Sequence, residues 1–221
     1  MRIDRRFLPA LAMAVLVAVL LSVQATAARG QQLLDDFFIA VANDRSDEVK
    51  TLLARGIDPN SVDRNGDPAL AGAARAGFAA TLEILLAAGA AVNASNAVGD
   101  TALMLAALGG HFDVVKKLRA RGADVNRRGW TALIYAATGG HDEIVRYLLA
   151  EGADIDTVSP NGTTALMMAA REGRLSTLDL LIARGASVSQ RNESGASALD
   201  WAKRSKETRL AEHLRRAGAR D

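Results

Sequence analysis

The amino-acid sequence predicts an all-α solenoid: six stacked helix–turn–helix units joined by hairpin loops. Three observations predict it. A block of the form Thr-Ala-Leu-x-x-Ala-Ala stands at Thr101 to Ala107, Thr131 to Ala137 and Thr164 to Ala170. Each block is followed by one glycine (Gly110, Gly140, Gly173) and, at a fixed interval, by a second (Gly122, Gly152, Gly185) that opens Gly-Ala-x-Val or Gly-Ala-x-Ile or its variant. Finally, aromatic residues are only 4% of the 221 residues while hydrophobic residues are 49%. The core must then be built from Ala and Leu, which suits thin helices packed closely.

The remaining copies are less regular. One begins at Pro68, runs through Ala73-Ala74 and Gly77, and reaches Gly89. Degenerate copies lie at the ends, from Asp35 to Gly56 and from Ser197 to Gly218. The register starts are 35, 68, 101, 131, 164 and 197, a period of 33 broken once by a step of 30. A repeat of this length is one supersecondary unit that stacks on its neighbours.

The first element in the chain is an address. Arg2, Arg5 and Arg6 precede an almost purely apolar run from Leu8 to Val23, and Ala25-Thr26-Ala27 follows as a small-x-small cleavage pattern. This is the three-part layout of a secretory signal peptide. The run is shorter than the roughly 20 residues a spanning helix needs. The expected domains are a signal peptide over 1–27, a lead-in over 28–34 and a repeat domain over 35–221. Cleavage near Ala27 sends the mature chain to the periplasm or the exterior; an uncleaved segment would instead anchor it to the membrane. Arg5-Arg6-Phe7-Leu8 faintly resembles a twin-arginine signal, with the spacing one residue off.

Each repeat reads as two helices. Between Thr and the first Gly, apolar residues such as Leu103, Ala106 and Ala107 recur at helical spacing. Between the two glycines a second stripe follows: Val114, Val115 and Leu118, or Ile144, Val145, Leu148 and Leu149. The second Gly stands where a helix ends in a left-handed residue. Polar stretches such as Asn93 to Gly99 then signal turns. One helix pair cannot bury its apolar face alone, so the end copies must be caps. The last helix fits, with Lys206, Glu207, Arg209, Glu212, Arg215 and Arg216 facing solvent. Trp201, beside Leu199 and Ala202, is expected to pack in the core against repeat five.

These blocks, with Gly110-His111, Gly140-His141 and the Leu-Leu-x-x-Gly-Ala runs at Leu85 to Ala90 and Leu148 to Ala153, resemble the ankyrin repeat family over residues 31–221. Two departures stand out. The family's Thr-Pro-Leu-His opens here as Thr-Ala-Leu-Met or Thr-Ala-Leu-Ile, so Ala71, Met104, Ile134 and Met167 replace a His that bonds between repeats, and apolar packing is expected in its place. Asn126 to Thr131 also spans five positions where other junctions span eight, so one projecting hairpin is truncated.

Composition excludes much chemistry. With no Cys, disulfides, thiolate metal sites and a cysteine nucleophile are ruled out. Beyond residue 27 basic and acidic residues balance, so no global field draws nucleic acid. His111 and His141 are expected to serve local capping and packing, and His213 to be solvated. Ser and Thr do not form a nucleophile elbow, and no Gly-rich loop precedes a Lys-Ser or Lys-Thr phosphate cradle. The reading is therefore no enzyme, no cofactor, no metal and no nucleic acid, with no membrane contact after signal removal and a monomeric chain.

What remains is surface. The resemblance implies that partner proteins bind the concave face, made of hairpin tips and the exposed side of each first helix. Positions after each Ala-Ala pair belong there: Arg75, Ala76, Leu108, Gly109, Thr138, Gly139, Arg171 and Glu172. So do positions before each Thr or its equivalent: Asp67, Asp100, Trp130, Thr163 and Ala196. Trp130 borders the shortened hairpin beside Arg127 and Arg128, and Trp and Arg are enriched at binding hot spots. Two readings of Trp130 stay open: a hot spot, or a ring folded over its neighbour's core. The Arg pair is either a rim of the site or a solvated face. The expected function is a protein-binding scaffold or adaptor in the bacterial periplasm, the partner's identity not being written in the sequence. A holdase-like protective role is the first alternative, and an enzyme or small-molecule binder in the groove the second.

Overall fold

The computed structural model describes residues 24, 28–205 and 207–220. The expected signal peptide therefore lies outside the described residues apart from Gln24, as does Lys206 of the last helix. Helix α1 covers residues 28–42, so residues 28–34 continue directly into the first repeat. It pairs with α2 (Ser46–Ala54). The following pairs are α3 (Ala69–Ala76) with α4 (Ala79–Ala87), α5 (Ala102–Gly109) with α6 (Phe112–Ala120), and α7 (Ala132–Gly139) with α8 (Asp142–Ala150). Two more complete the stack: α9 (Ala165–Arg171) with α10 (Leu175–Ala183), and α11 (Ala198–Arg204) with α12 (Thr208–Arg216). Among the described residues the only β pairing is two isolated bridges at hairpin bases, Val62 with Pro68 and Ser95 with Thr101.

The block residues explain each first helix. Thr101, Thr131 and Thr164 are N-caps whose hydroxyl oxygens accept from the backbone N–H three residues on, at Met104, Ile134 and Met167. Such a cap satisfies one of the orphan donors at a helix start. Ser197 does the same for Asp200, whose carboxylate accepts in return from the Ser197 N–H at 2.9 Å. Pro68 takes this place in the second repeat and offers no side-chain cap. Gly110, at φ 76°, ends α5 in the left-handed region that glycine enters without penalty.

Packing follows from side-chain size. The paired alanines Ala73-Ala74, Ala106-Ala107, Ala136-Ala137 and Ala169-Ala170 are fully buried. They let successive first helices lie close together, and that layer is in more extensive contact than the second-helix layer. The second helices instead fill the wider outer layer with Leu82, Leu85, Val115, Leu118, Ile144, Leu148, Leu178 and Leu181. One row narrow and one wide curves the stack, with first helices inside. Each end is capped by an amphipathic element: α1 buries Phe37, Ala40 and Val41, and α12 buries Leu210, Ala211 and Leu214 beneath a charged outer face. Ala71, Met104, Ile134 and Met167 are all buried, in keeping with apolar packing at those positions.

The hairpins carry their own repeated chemistry. Asp63, Asn96 and Asn192 each accept backbone N–H bonds from residues two and four further on, closing a tight turn. A second ladder braces neighbouring repeats. Asn60 accepts from the Ala91 N–H, Asn93 from Asp124, Asn126 from Asp154 and Asp156 from Ser187, at 2.8, 2.8, 2.9 and 2.9 Å. This ladder runs unbroken past the short junction, so the deletion falls in the hairpin between Asn126 and Thr131 and leaves the stacking register intact.

Candidate functional site

The first-helix layer and the hairpins together form the concave face. Three of its expected residues carry the joints of the stack through their carbonyls. His111 donates from Nε2 to the Arg75 carbonyl at 3.0 Å, and His141 donates from Nε2 to the Leu108 carbonyl at 2.9 Å. Arg174 supplies the same bond one repeat later, from Nε to the Thr138 carbonyl at 3.1 Å. The expectation of local capping is thus corrected: neither His makes a side-chain cap bond to its own helix. Each ring crosses a junction, because the carbonyl of the penultimate residue of the preceding first helix has no partner within that helix. The bond requires room. A Cβ on Gly77 would stand 2.5 Å from the His111 ring, and one on Gly110 would stand 2.6 Å from His141.

At the N-terminal end the face deepens into a groove of about 880 Å³ between α1, α3 and the hairpin over 61–68. Its walls include Phe38, Ile39, Val62, Asp67, Arg75 and Ala76. Ile39 and Val62 are half-exposed apolar side chains on its lip. Asp67 pairs with Arg75 at 2.7 Å, and Asp35 with Arg64 at 2.9 Å, so this end is close to charge-balanced. In the third repeat Leu108, in the register of Arg75, is 39% exposed.

The middle of the face is aromatic. The Trp130 ring lies 5.9 Å from Tyr135, tilted by 53°, and both are half-buried against the core. The Tyr135 hydroxyl donates to Asp100 at 2.6 Å across the junction between repeats three and four. Burial first, and the bond to Asp100 second, push the Tyr135 phenol well above its ordinary pKa. Trp130 is packed against the core with part of its ring exposed. Arg127 and Arg128 part company. Arg128 is exposed, but Arg127 is half-buried with its guanidinium turned to Ser95 of the preceding hairpin at 3.5 Å, which corrects the picture of a paired rim. The shortened hairpin causes this, since its first Arg is drawn in beside the longer neighbour.

Farther along, Thr138 is half-buried and its hydroxyl donates to the Ile134 carbonyl at 2.8 Å. Arg171 and Glu172 are exposed and approach each other at 3.4 Å. Thr163 and Ala196 are buried, so the expectation that they face the groove is corrected: at these two junctions a small side chain is covered, whereas the carboxylates Asp67 and Asp100 in the same register stay half-buried. Trp201 is packed against the core but only half-buried, with Arg171 and Arg204 5.3 and 5.2 Å from its ring centroid. Its indole N–H is buried without an acceptor. On the outer face His213 is not a solvated side chain: its Nδ1 lies 2.6 Å from Asp179, tying α12 to α10.

Sequence reasoning missed several of these residues. They include Tyr135, Arg174 and Arg204; the shared register of 111, 141 and 174 was the available signal for Arg174, and that of 171 and 204 for Arg204. Ile39 and Val62 carried no signal, because their exposure depends on how α1 meets the first hairpin. Among the described residues no cluster of His, Asp and Glu is placed to hold a metal ion. No described helix is long and apolar enough to cross a membrane.

Comparison with known proteins agrees with this geometry. The family model described as ankyrin repeats (3 copies) matches residues 37–128, 88–159, 121–192 and 151–220. No curated protein matches the sequence. Among solved structures the chain is similar to the human ASB11 ankyrin repeat domain, at 30% identity and a TM-score of 0.76, covering 83% of this chain and 84% of that one. Repeats of this kind mediate protein–protein interaction and are typically non-enzymatic binding scaffolds. By sequence match, helix pairing and stacking, this chain belongs to the ankyrin repeat family.

Proposed function

We propose that the chain is a protein-binding scaffold of the bacterial periplasm or exterior, holding one partner protein along its concave face and hairpin tips. The observation that carries this is the apolar surface the first-helix layer and hairpins leave exposed: Ile39 and Val62 at the lip of the groove, Leu108 in the third repeat and part of the Trp130 ring. Exposed apolar side chains on a concave face mark binding surfaces. The backbone of this face is held at Arg75, Leu108 and Thr138 by the cross-repeat bonds of His111, His141 and Arg174, so little conformational freedom is lost on binding. The placement outside the cytoplasm is supported by the basic, apolar and small-residue layout over residues 1–27 and by the absence of Cys.

Two measurements test it. N-terminal sequencing of the exported protein should find Ala28 or Arg29 first; an intact Met1 in the mature fraction would overturn export with cleavage. Crosslinking in the native envelope, followed by purification and mass spectrometry, should return one partner at fixed stoichiometry. Suppression of aggregation of several unrelated clients without a saturable complex would point to a holdase instead.

A further inference from the structure

We infer that the C-terminal end of the concave face is a receptor for a carboxylate-bearing segment of the partner protein, gripped by Arg171 and Arg204 over Trp201. This rests on the scaffold reading above and names the chemistry of what the groove holds. Arg171 and Arg204 occupy the same register of consecutive first helices, α9 and α11, each in the last turn. A basic residue there complements the helix dipole, which accounts for their charge but not for their convergence. Both guanidiniums reach one indole, at 5.3 and 5.2 Å.

Two like charges beside one ring favour an anion there. The carboxylate beside Arg171 is Glu172, at 3.4 Å, and among the described residues no carboxylate pairs with Arg204. Asp200, on the same helix as Arg204, is committed to Arg191 at 3.1 Å and to the Ser197 N–H at 2.9 Å. The buried Trp201 N–H adds a further donor without an acceptor. The groove's other end shows the contrast, since Arg75 and Arg64 there are matched by Asp67 and Asp35. Stacking on an aromatic face orients a planar guanidinium and leaves its N–H edge free for a two-pronged bond to a carboxylate. The balanced charge of the repeat domain favours a local carboxylate over a polyphosphate backbone, which is held by a broad positive field.

The chain has two tryptophans, so Trp130→Phe leaves Trp201 as the sole indole reporter. In this variant of the full chain, hexaglutamate should change Trp201 emission saturably, more weakly at high salt, while hexaglutamine should not. Arg171→Gln with Arg204→Gln should lower the hexaglutamate affinity at least tenfold. Glu172→Gln, which removes the internal competitor, should raise it, and this variant serves if the double variant melts early. The inference is overturned if hexaglutamate acts no differently from hexaglutamine, if both sets of substitutions leave its affinity unchanged, or if an oligothymidylate of equal charge binds more tightly. Should the identified partner bind wild-type protein and the Arg variant equally well, the scaffold reading stands and this inference fails. Should no partner occupy the concave face at all, the scaffold reading itself fails.

Discussion

The His141 ring donates from Nε2 to the Leu108 carbonyl of the preceding repeat at 2.9 Å, and Gly110 lies against that ring with no side chain between them. Because a carbonyl oxygen only accepts, Nε2 carries the proton. The bond needs both a donor ring at the start of one second helix and a glycine at the end of the previous repeat's first helix.

This pairing predicts a graded mutational series. His141→Ala should destabilise by about 1–2 kcal/mol through the lost bond and ring contacts. Gly122→Ala, at φ 83° with open space around it, should cost about 1–2 kcal/mol for the left-handed backbone alone. Gly110→Ala, at φ 76° with the His141 ring 2.6 Å from the new Cβ, should add about 1–3 kcal/mol of overpacking to that strain. Denaturant melts check the order; equal effects of the two glycine variants would show that the ring is not held where the structure places it.

A core substitution tests the stack as a whole. Leu148 is fully buried in α8, so Leu148→Ala should cost about 2–5 kcal/mol. Stability in a stack is a sum of repeat and interface terms. Hydrogen exchange should therefore quicken in repeats three and five as well as four, and damage confined to repeat four would contradict the stacking.

The last repeat should be sensitive to acid. Asp200 is held below its ordinary pKa of 3.8, first by the Ser197 backbone N–H and then by the Ser197 hydroxyl. A lowered carboxylate pKa contributes stability that is full above the unfolded value and fades as pH falls through the folded one. Asp200→Asn should then lower stability by about 1 kcal/mol at pH 7. The gap to wild type should narrow once the pH drops below about 4. Thermal melts from pH 7 to pH 3 measure it; a gap constant with pH would show that the charge is irrelevant.

At Trp130 a packing role and a binding role are separable by measurement. Its half-buried ring contacts the core and Tyr135, so Trp130→Ala should lower stability by about 1–3 kcal/mol. A hot-spot ring also costs a binding partner about 2 kcal/mol or more, roughly 30-fold in affinity. Calorimetry with the identified partner, corrected for the folded fraction, separates the two. Unchanged affinity per folded molecule would make the ring core alone.

The stack was legible in the sequence because its determinants are local and repeated. The Thr cap, the Ala pair and the two glycines each act within one turn of their own position, so their spacing reads out directly as helices. The concave face was less legible. Which of its residues are exposed depends on what the neighbouring repeat places beside them. In one register Thr163 and Ala196 are covered, whereas Asp67, Asp100 and Trp130 are left half-open. Arg127 and Arg128 are adjacent in sequence yet one is drawn to Ser95 and the other is not. The bonds of His111 and His141 span a whole repeat, and only the stacked geometry shows which carbonyl they reach.

Whether a protein partner occupies the concave face is decided most directly by site-specific photocrosslinking. A photoreactive residue at Leu108, exposed on the inner layer, should trap one discrete protein in the native envelope, while the same residue at Arg146, exposed on the outer second-helix layer, should trap none. Adducts at Arg146 and none at Leu108 would contradict the account.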